Sequence, residues 1–306
     1  MCGCNSRPAP TVDVVHTVPR DLSNIEAFIR GGIMHLETKV IEHSGDHTYT
    51  LIPIGDIHLG TVHCDRAHLE RDIKRVADDP YALWIGMGDM CECITATDPR
   101  FMASEVDPQL LPHLGTIAKS QFELIYDYFR PIKDKCIGLL EGNHEFQIKA
   151  RHYLDLTLDA ARELGVPYLG DTAFIRLVFR KVGEDKARQR SMSKVIYAEH
   201  GTGGGRYTGG KLNALEHMMR DFDADIYLRG HVHTKGGVKE PRLSMPDHGK
   251  SQLVARTRIA ALTGCYYRTY SQGSSSYGQR QSYPPTELGS VSIRINTQTG
   301  DMELVN

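Results

Sequence analysis

Hydrophobic residues gather along the chain in short runs that are apolar at nearly every position, and most runs end on a small residue followed by a polar one. Tyr49–Ile54 (YTLIPI) leads into Gly55-Asp56, Ala82–Met87 (ALWIGM) into Gly88-Asp89, and Cys136–Leu140 (CIGLL) toward Gly142-Asn143-His144. Val195–Ala198 precedes His200, and Asp225–Leu228 precedes Gly230-His231. Runs of this kind predict strands buried on both faces. Between them, apolar residues at three- and four-residue spacing predict helices over Ala67–Ala77, Ile117–Phe129, Ile148–Leu164 and Lys211–Phe222. Further strands are expected at Phe174–Phe179, Arg258–Leu262, Val291–Ile295 and Met302–Val305, the last two joined by a Thr-Gly-Asp turn. Strand, polar loop, helix and strand again make an α/β pattern. Its functional groups gather at the carboxyl ends of the strands.

No internal repeat and no extended linker interrupts this alternation, so residues 21–306 are expected to form one domain. Residues 1 to about 20 are Pro-rich and weakly patterned, and are expected to be a flexible arm. The stretch Cys265–Thr286 is dense in Tyr, Ser, Gly and Gln. It reads as a long surface loop, functional or merely disordered.

Composition narrows the class. The chain has 306 residues, 40% hydrophobic and 24% charged, as an ordinary globular protein does. Lys plus Arg number 36 against 38 Asp plus Glu, a net charge of −2. That balance argues against coating nucleic acid by bulk charge and leaves a local basic groove open. No run approaches the roughly 18 apolar residues of a membrane span, and Met1 to Pro10 lack the apolar core of a signal peptide. Seven unevenly spaced cysteines fit reduced thiols better than a disulfide framework, so a cytoplasmic protein is expected.

The candidate chemistry lies at five strand ends: Asp56-Ile57-His58, Gly88-Asp89, Gly142-Asn143-His144-Glu145, His200-Gly201, and Gly230-His231-Val232-His233. Carboxylate and amide oxygens combined with several imidazoles suit divalent first-row metals such as Mn, Fe, Zn or Ni. An Asp-x-His at a strand end lets two donors reach one ion. A carboxylate on a neighbouring strand can bridge two ions about 3.5–4 Å apart. One histidine of this kind has an ordinary structural explanation, but six such positions in a row do not share one.

In this order the blocks resemble the calcineurin-like metallophosphoesterase superfamily, whose pattern runs D-x-H, G-D, G-N-H-[DE], H, G-H-x-H. The resemblance spans roughly residues 50–235 and is similar in appearance to members encoded by phages and prophages. It implies a four-layer α/β/β/α sandwich of two mixed sheets flanked by helices. It also implies two divalent metal ions, with Asp56, His58 and His233 on one, Asn143, His200 and His231 on the other, and Asp89 bridging. Activity would be phosphoester hydrolysis by a metal-activated hydroxide, with no covalent protein intermediate. His144 would face the substrate as general acid or hydrogen-bond donor. In the Ser/Thr phosphatase branch an acid at the position of Glu92 pairs with that histidine. Glu92 is therefore expected to pair with His144, or else to be a solvated loop acid.

Cys91, Cys93 and Cys64 are expected to be neutral packing beside a complete ligand set, although thiolates can bind soft metals. The glycine-rich loop after His200, with Arg206 and Lys211, either offers groups to an anion or is a flexible turn. Arg100 is a second candidate phosphate contact. Phosphodiesters are the expected substrates, nucleotides or single-stranded nucleic acid ends above all. Tyr266, Tyr267, Tyr270, Tyr277 and Tyr283 could stack bases while Arg268 and Arg280 meet phosphates. The alternative is a phosphomonoesterase; here the phosphatase branch's Arg-Gly after the acid is missing and Glu145 is followed by Phe-Gln. A non-catalytic scaffold of the same fold, like the retromer subunit that resembles this family, stays open as another class, though such proteins lose ligands.

Overall fold

The structure is a computed structural model that describes residues 34–182, 190–205, 207–245 and 253–306. The arm expected at residues 1 to about 20 and the candidate Arg206 lie outside the described residues.

In chain order the strands are β1 (His35–His43), β2 (Thr48–Ile54), β3 (Ala82–Gly86), β4 (Cys136–Leu139), β5 (Thr172–Lys181), β6 (Arg190–Glu199), β7 (Ile226–Arg229), β8 (Lys235–Ser244), β9 (Val254–Cys265), β10 (Tyr270–Ser271), β11 (Ser274–Ser275), β12 (Gly289–Ser290), β13 (Ser292–Asn296) and β14 (Met302–Val305). The helices are α1 (Arg66–Asp78), α2 (Ile117–Phe129), α3 (Asn143–His152), α4 (Leu156–Leu164), α5 (Thr208–Asp221) and the single turn α6 (Tyr277–Arg280). One mixed sheet runs β14-β13-β2-β3-β4; the other runs β1-β5-β6-β7-β9-β12, with β8 also paired to β9.

Alternation along the strands builds the layers. In β3, Leu83 and Ile85 enter the core between the sheets, where they meet Leu177, Ile196, Ile226 and Ile259 of the second sheet. Ala82 and Trp84 point the other way, onto Val76 of α1 and Phe122, Ile125 and Phe129 of α2. On the far side, Tyr197, Tyr227 and Leu262 pack against Leu215, Met218 and Met219 of α5. Helices, sheet, sheet and helix form the four layers expected.

Three expectations need correction. The single helix expected over Ile148–Leu164 is two helices, because Tyr153 adopts left-handed φ of 54° and Asp155 caps the second through Leu158 N at 3.0 Å. Strands β1 and β8 carry mixed, partly polar patterns and were not expected; pairing with β5 and β9 makes them. The stretch Cys265–Thr286 is no simple surface loop: Cys265 and Tyr266 are fully buried and Tyr267 is 8% exposed. The Tyr266 hydroxyl donates to Asp72 Oδ2 at 2.8 Å, and its backbone bonds both Asp56 and Asp65. The hairpin β10–β11 and the turn α6 follow.

Candidate metal centre

All five sequence blocks meet at the carboxyl ends of β2, β3, β4, β6 and β7. The turns that leave the strands are unusual. Asp56, His58, Asp89, His231 and His233 have φ of 48°, 51°, 48°, 68° and 47°, a region non-glycine residues visit sparingly. Such backbone persists only where its surroundings hold it, and it clusters at functional sites. Here a short ladder holds it: Asp56 N bonds Gly88 O at 2.9 Å, Ile57 N bonds Asp89 O at 2.8 Å, and Leu59 N bonds Met90 O at 2.9 Å. Close approach also demands glycine at 142, where a Cβ would lie 2.0 Å from Asp89 N. Glu145 seals this junction by accepting the N–H groups of Asp89, Cys91 and Gly142 at 3.0, 3.0 and 3.1 Å. The sequence pattern named Glu145 only as the acid that closes the Gly-Asn-His block, with no sign of this role.

Two donor sets result. In one, Asp56, His58 and His233 converge, with His58 Nε2 3.1 Å from His233 Nε2 and Asp56 Oδ1 3.4 Å from the latter. In the other, Asp89, His200 and His231 converge, and Asn143 Oδ1 lies 3.1 Å from His200 Nε2 and 2.8 Å from His231 Nδ1. Asp89 Oδ2 sits between the sets, 3.3 Å from His200 Nε2 and 4.0 Å from His58 Nε2. Two of the histidines have their remote ring nitrogen engaged, His58 Nδ1 by Glu92 Oε2 at 2.8 Å and His200 Nδ1 by Met87 O at 2.7 Å. That leaves Nε2 facing the cluster, the arrangement of metal-binding imidazoles. Imidazole nitrogens and carboxylate oxygens crowded together in a buried pocket fit a divalent cation.

Electrostatics follow from this crowding. Burial opposes charge on Asp56 and Asp89, yet the surrounding histidines outweigh it and hold both carboxyls below the usual range, Asp89 well below. His200 is likewise buried, but the charge of Asp89 and its hydrogen bond push it up to about 10. Burial lowers His58 and His231, while Glu92 is held ionised, against its burial, by the hydrogen bond from His58.

His144 lies outside these two sets, although its ring, His58 and the Glu92 carboxylate are also close enough together to hold an ion. Its Nδ1 donates to the backbone carbonyl of Glu92 at 2.5 Å and its own N–H donates to Asp89 Oδ1 at 2.9 Å. Burial opposes its charge, but Asp89 and Glu92 raise it above the ordinary range. The expected partnership of the Glu92 carboxylate with His144 is therefore corrected: the carboxylate goes to His58, and only the main-chain oxygen of Glu92 reaches His144. The turn at residues 89–92 runs alongside residues 56–59, which sets that direction.

A cavity of about 690 Å³ opens over the centre, with His144, Arg100, Lys211, Tyr207, Tyr267, Tyr277 and Tyr283 on its walls. Arg100 reaches it while paired to Asp98 at 2.9 Å and bonded to Gln147 at 3.0 Å. Lys211 Nζ donates to Val232 O and Thr234 Oγ1 at 2.9 and 2.6 Å. Of the other residues expected to touch substrate, Arg268 is held by Asp65 at 2.6 Å and Arg280 by Glu105 at 2.6 Å, neither on the cavity wall. Tyr266 is wholly buried, and Tyr270 bonds Tyr283 O. Cys64, Cys91 and Cys93 are buried free thiols. Burial pushes Cys64 up to about 12 and raises Cys91, and the bond to Cys91 raises Cys93. They stay neutral.

A four-layer sandwich with histidines and carboxylates at its strand ends defines a metal-dependent hydrolase scaffold. The family model described as calcineurin-like phosphoesterase matches residues 49–235, and the chain belongs to that family. It is a metal-dependent phosphoester hydrolase. Among solved structures it is similar to a conserved predicted phosphoesterase from Streptococcus pneumoniae TIGR4, at 12% identity over 84% of this chain and 97% of that one, with a TM-score of 0.31. Similar too is a double mutant of Vps29 from Entamoeba histolytica, at 12% identity over 84% and 97%, with a TM-score of 0.33. No curated protein matches the chain. No helix among the described residues is long and apolar enough to cross a membrane.

Proposed function

We propose that the chain is a dinuclear phosphodiesterase acting on nucleotides or nucleic acid ends. Asp56, His58 and His233 would hold one ion and Asn143, His200 and His231 the other, with the Asp89 carboxylate shared between the two sets. The ions would be divalent first-row metals, Mn, Fe, Zn or Ni. When bound, they supply Lewis acidity toward the phosphoryl oxygens and a water made acidic enough to attack. The protein supplies the rest. His144 has its Nδ1–H committed to the Glu92 carbonyl, so Nε2 is the atom left to give a proton to the departing oxygen. Asp89 and Glu92 favour the protonated ring that this role needs. Arg100 and Lys211 add positive charge to the walls around the phosphate. The buried free thiols Cys64, Cys91, Cys93, Cys136 and Cys265 support a reducing, cytoplasmic setting.

The observation that carries the diester reading is the cavity of about 690 Å³, whose walls run from His58, Asp89 and Asn143 to Tyr207, Tyr277 and Tyr283. Such walls suit an ester flanked by a planar base on at least one side. The test uses metal-stripped protein reloaded with Mn²⁺ and other divalent metals in turn. It compares bis-nitrophenyl phosphate with nitrophenyl phosphate. We expect two ions per chain and a diester rate at least about tenfold the monoester rate, a gap of roughly 1.4 kcal/mol in the barrier. A faster monoester would replace the reading with a phosphomonoesterase, and turnover by verified metal-free protein would end it.

A further inference from the structure

Glu92 serves two histidines through two different groups, and this division assigns it a role. Its side chain takes the Nδ1 proton of His58 at 2.8 Å, and its main-chain carbonyl takes the Nδ1 proton of His144 at 2.5 Å. Neither acceptor can donate, so each bond dictates a tautomer. His58 must then present the Nε2 lone pair to Asp89 and His233, and His144 must present Nε2 to the cavity. Ring contacts alone cannot achieve this. The His58 ring lies against His144, His233 and Tyr267 at centroid distances of 4.7, 4.9 and 5.2 Å, which confines its plane but not its proton. Nor is the carboxylate placed by chance. Leu59 N bonds Met90 O at 2.9 Å and Glu92 N bonds Leu59 O at 3.0 Å, so a short parallel bridge carries residue 92 to the flank of residue 58.

We propose that Glu92 is a positioning residue whose carboxylate tunes one of the two metal sites through His58, while its backbone alone orients His144. The proposal rests on the dinuclear reading above. It separates the Glu92 side chain from direct contact with His144: the side chain can be changed without altering the hydrogen bond that holds that ring.

The experiment measures metal binding, not only turnover. Wild type, Glu92→Ala and Glu92→Gln are stripped and titrated with Mn²⁺ against a competing chelator. Each reloaded protein is then assayed on an alkyl and a nitrophenyl ester of the same phosphate. Glu92→Ala should weaken one of the two ions by about 10–100-fold, the usual worth of a partner behind a ligating histidine. Glu92→Gln keeps an oxygen that accepts the Nδ1 proton, and should recover most of that affinity. Both variants remove the same charge near His144, so the ratio of alkyl to nitrophenyl rates should move little and equally in the two, because the carbonyl on His144 is untouched. Unchanged affinity for both ions in Glu92→Ala would overturn the proposal. A collapse of the alkyl rate alone, with both ions retained, would overturn it as well and return the carboxylate to His144. Should Glu92→Ala unfold, Glu92→Gln decides by the same two readings: near-normal affinity and ratio uphold the proposal, and a selective alkyl defect refutes it. If wild type itself fails to bind two ions, the dinuclear reading falls first and separately.

Discussion

His144 occupies a position where binding and chemistry can be told apart within a single loop. Its neighbour Asn143 places Oδ1 between His200 and His231, whereas His144 turns to the cavity with Nδ1 tied to Glu92 O. Replacing His144 with Ala should leave two ions per chain by elemental analysis, since that loop's oxygen donor remains. Loss should fall on substrates whose leaving oxygen needs a proton: about 10²–10⁴-fold for an alkyl ester, the range of general acid catalysis, and visibly less for a nitrophenyl ester. Equal losses on both esters would instead make His144 a donor to the phosphoryl oxygens. A missing ion would make it a ligand.

Among the elements, the segment from β9 to β12 joins the core to the cavity wall. Sequence composition made Cys265–Thr286 read as a surface loop. In the structure Ser276 is fully buried with Oγ donating to Thr269 O at 2.5 Å, and Arg280 pairs with Glu105, so deletion would tear an anchored strap. Tyr277 and Tyr283 are the better probes, because they line the cavity and remain 43% and 44% exposed. Changing both to Ala should leave thermal unfolding within a few degrees and metal content unchanged. KM for a dinucleotide should rise, by roughly tenfold or more at about 1–3 kcal/mol per stacked base, while a bis-nitrophenyl ester is affected less. An identical rise for both substrates would show that the tyrosines do not read the base.

For the molecule as a whole, metal loading couples to protonation. Without an ion, His200 is pushed up to about 10 from 6.5, chiefly by Asp89 against the cost of burial. Its folded value is the raised one, so the cationic ring stabilises the metal-free fold fully below about pH 6.5. That contribution is lost as pH rises through about 10. A ligating imidazole must be neutral, so loading near pH 8 should release about one proton from this site, and metal affinity should fall as pH is lowered. Titration calorimetry in two buffers of different ionisation enthalpy counts the protons. No release would mean that His200 is not a ligand or is already neutral in the metal-free protein, and a His200→Ala variant with unchanged metal affinity would single out the first. Ligand binding to the native state alone should also raise the unfolding temperature with added Mn²⁺.

The order of apolar run, glycine and polar residue along the chain determined the α/β class and the strands that carry the site, and the family resemblance named the candidate donors Asp56, His58, Asp89, Asn143, His200, His231 and His233. A run buried on both faces and a turn that must expose a donor are both local patterns, legible one segment at a time. Tertiary structure alone decided which groups face one another. Tyr153 breaks a helix whose periodicity continues across it, and β1 and β8 become strands because neighbours complete their ladders. Tyr266 can be buried because Asp72, on a helix nearly two hundred residues earlier, accepts the hydrogen bond of its hydroxyl. Glu92 meets His58 rather than His144 because left-handed turns and a backbone bridge aim the side chain. Spacing along a chain records burial and reach, but the direction of a side chain leaving a turn depends on backbone that distant segments hold in place.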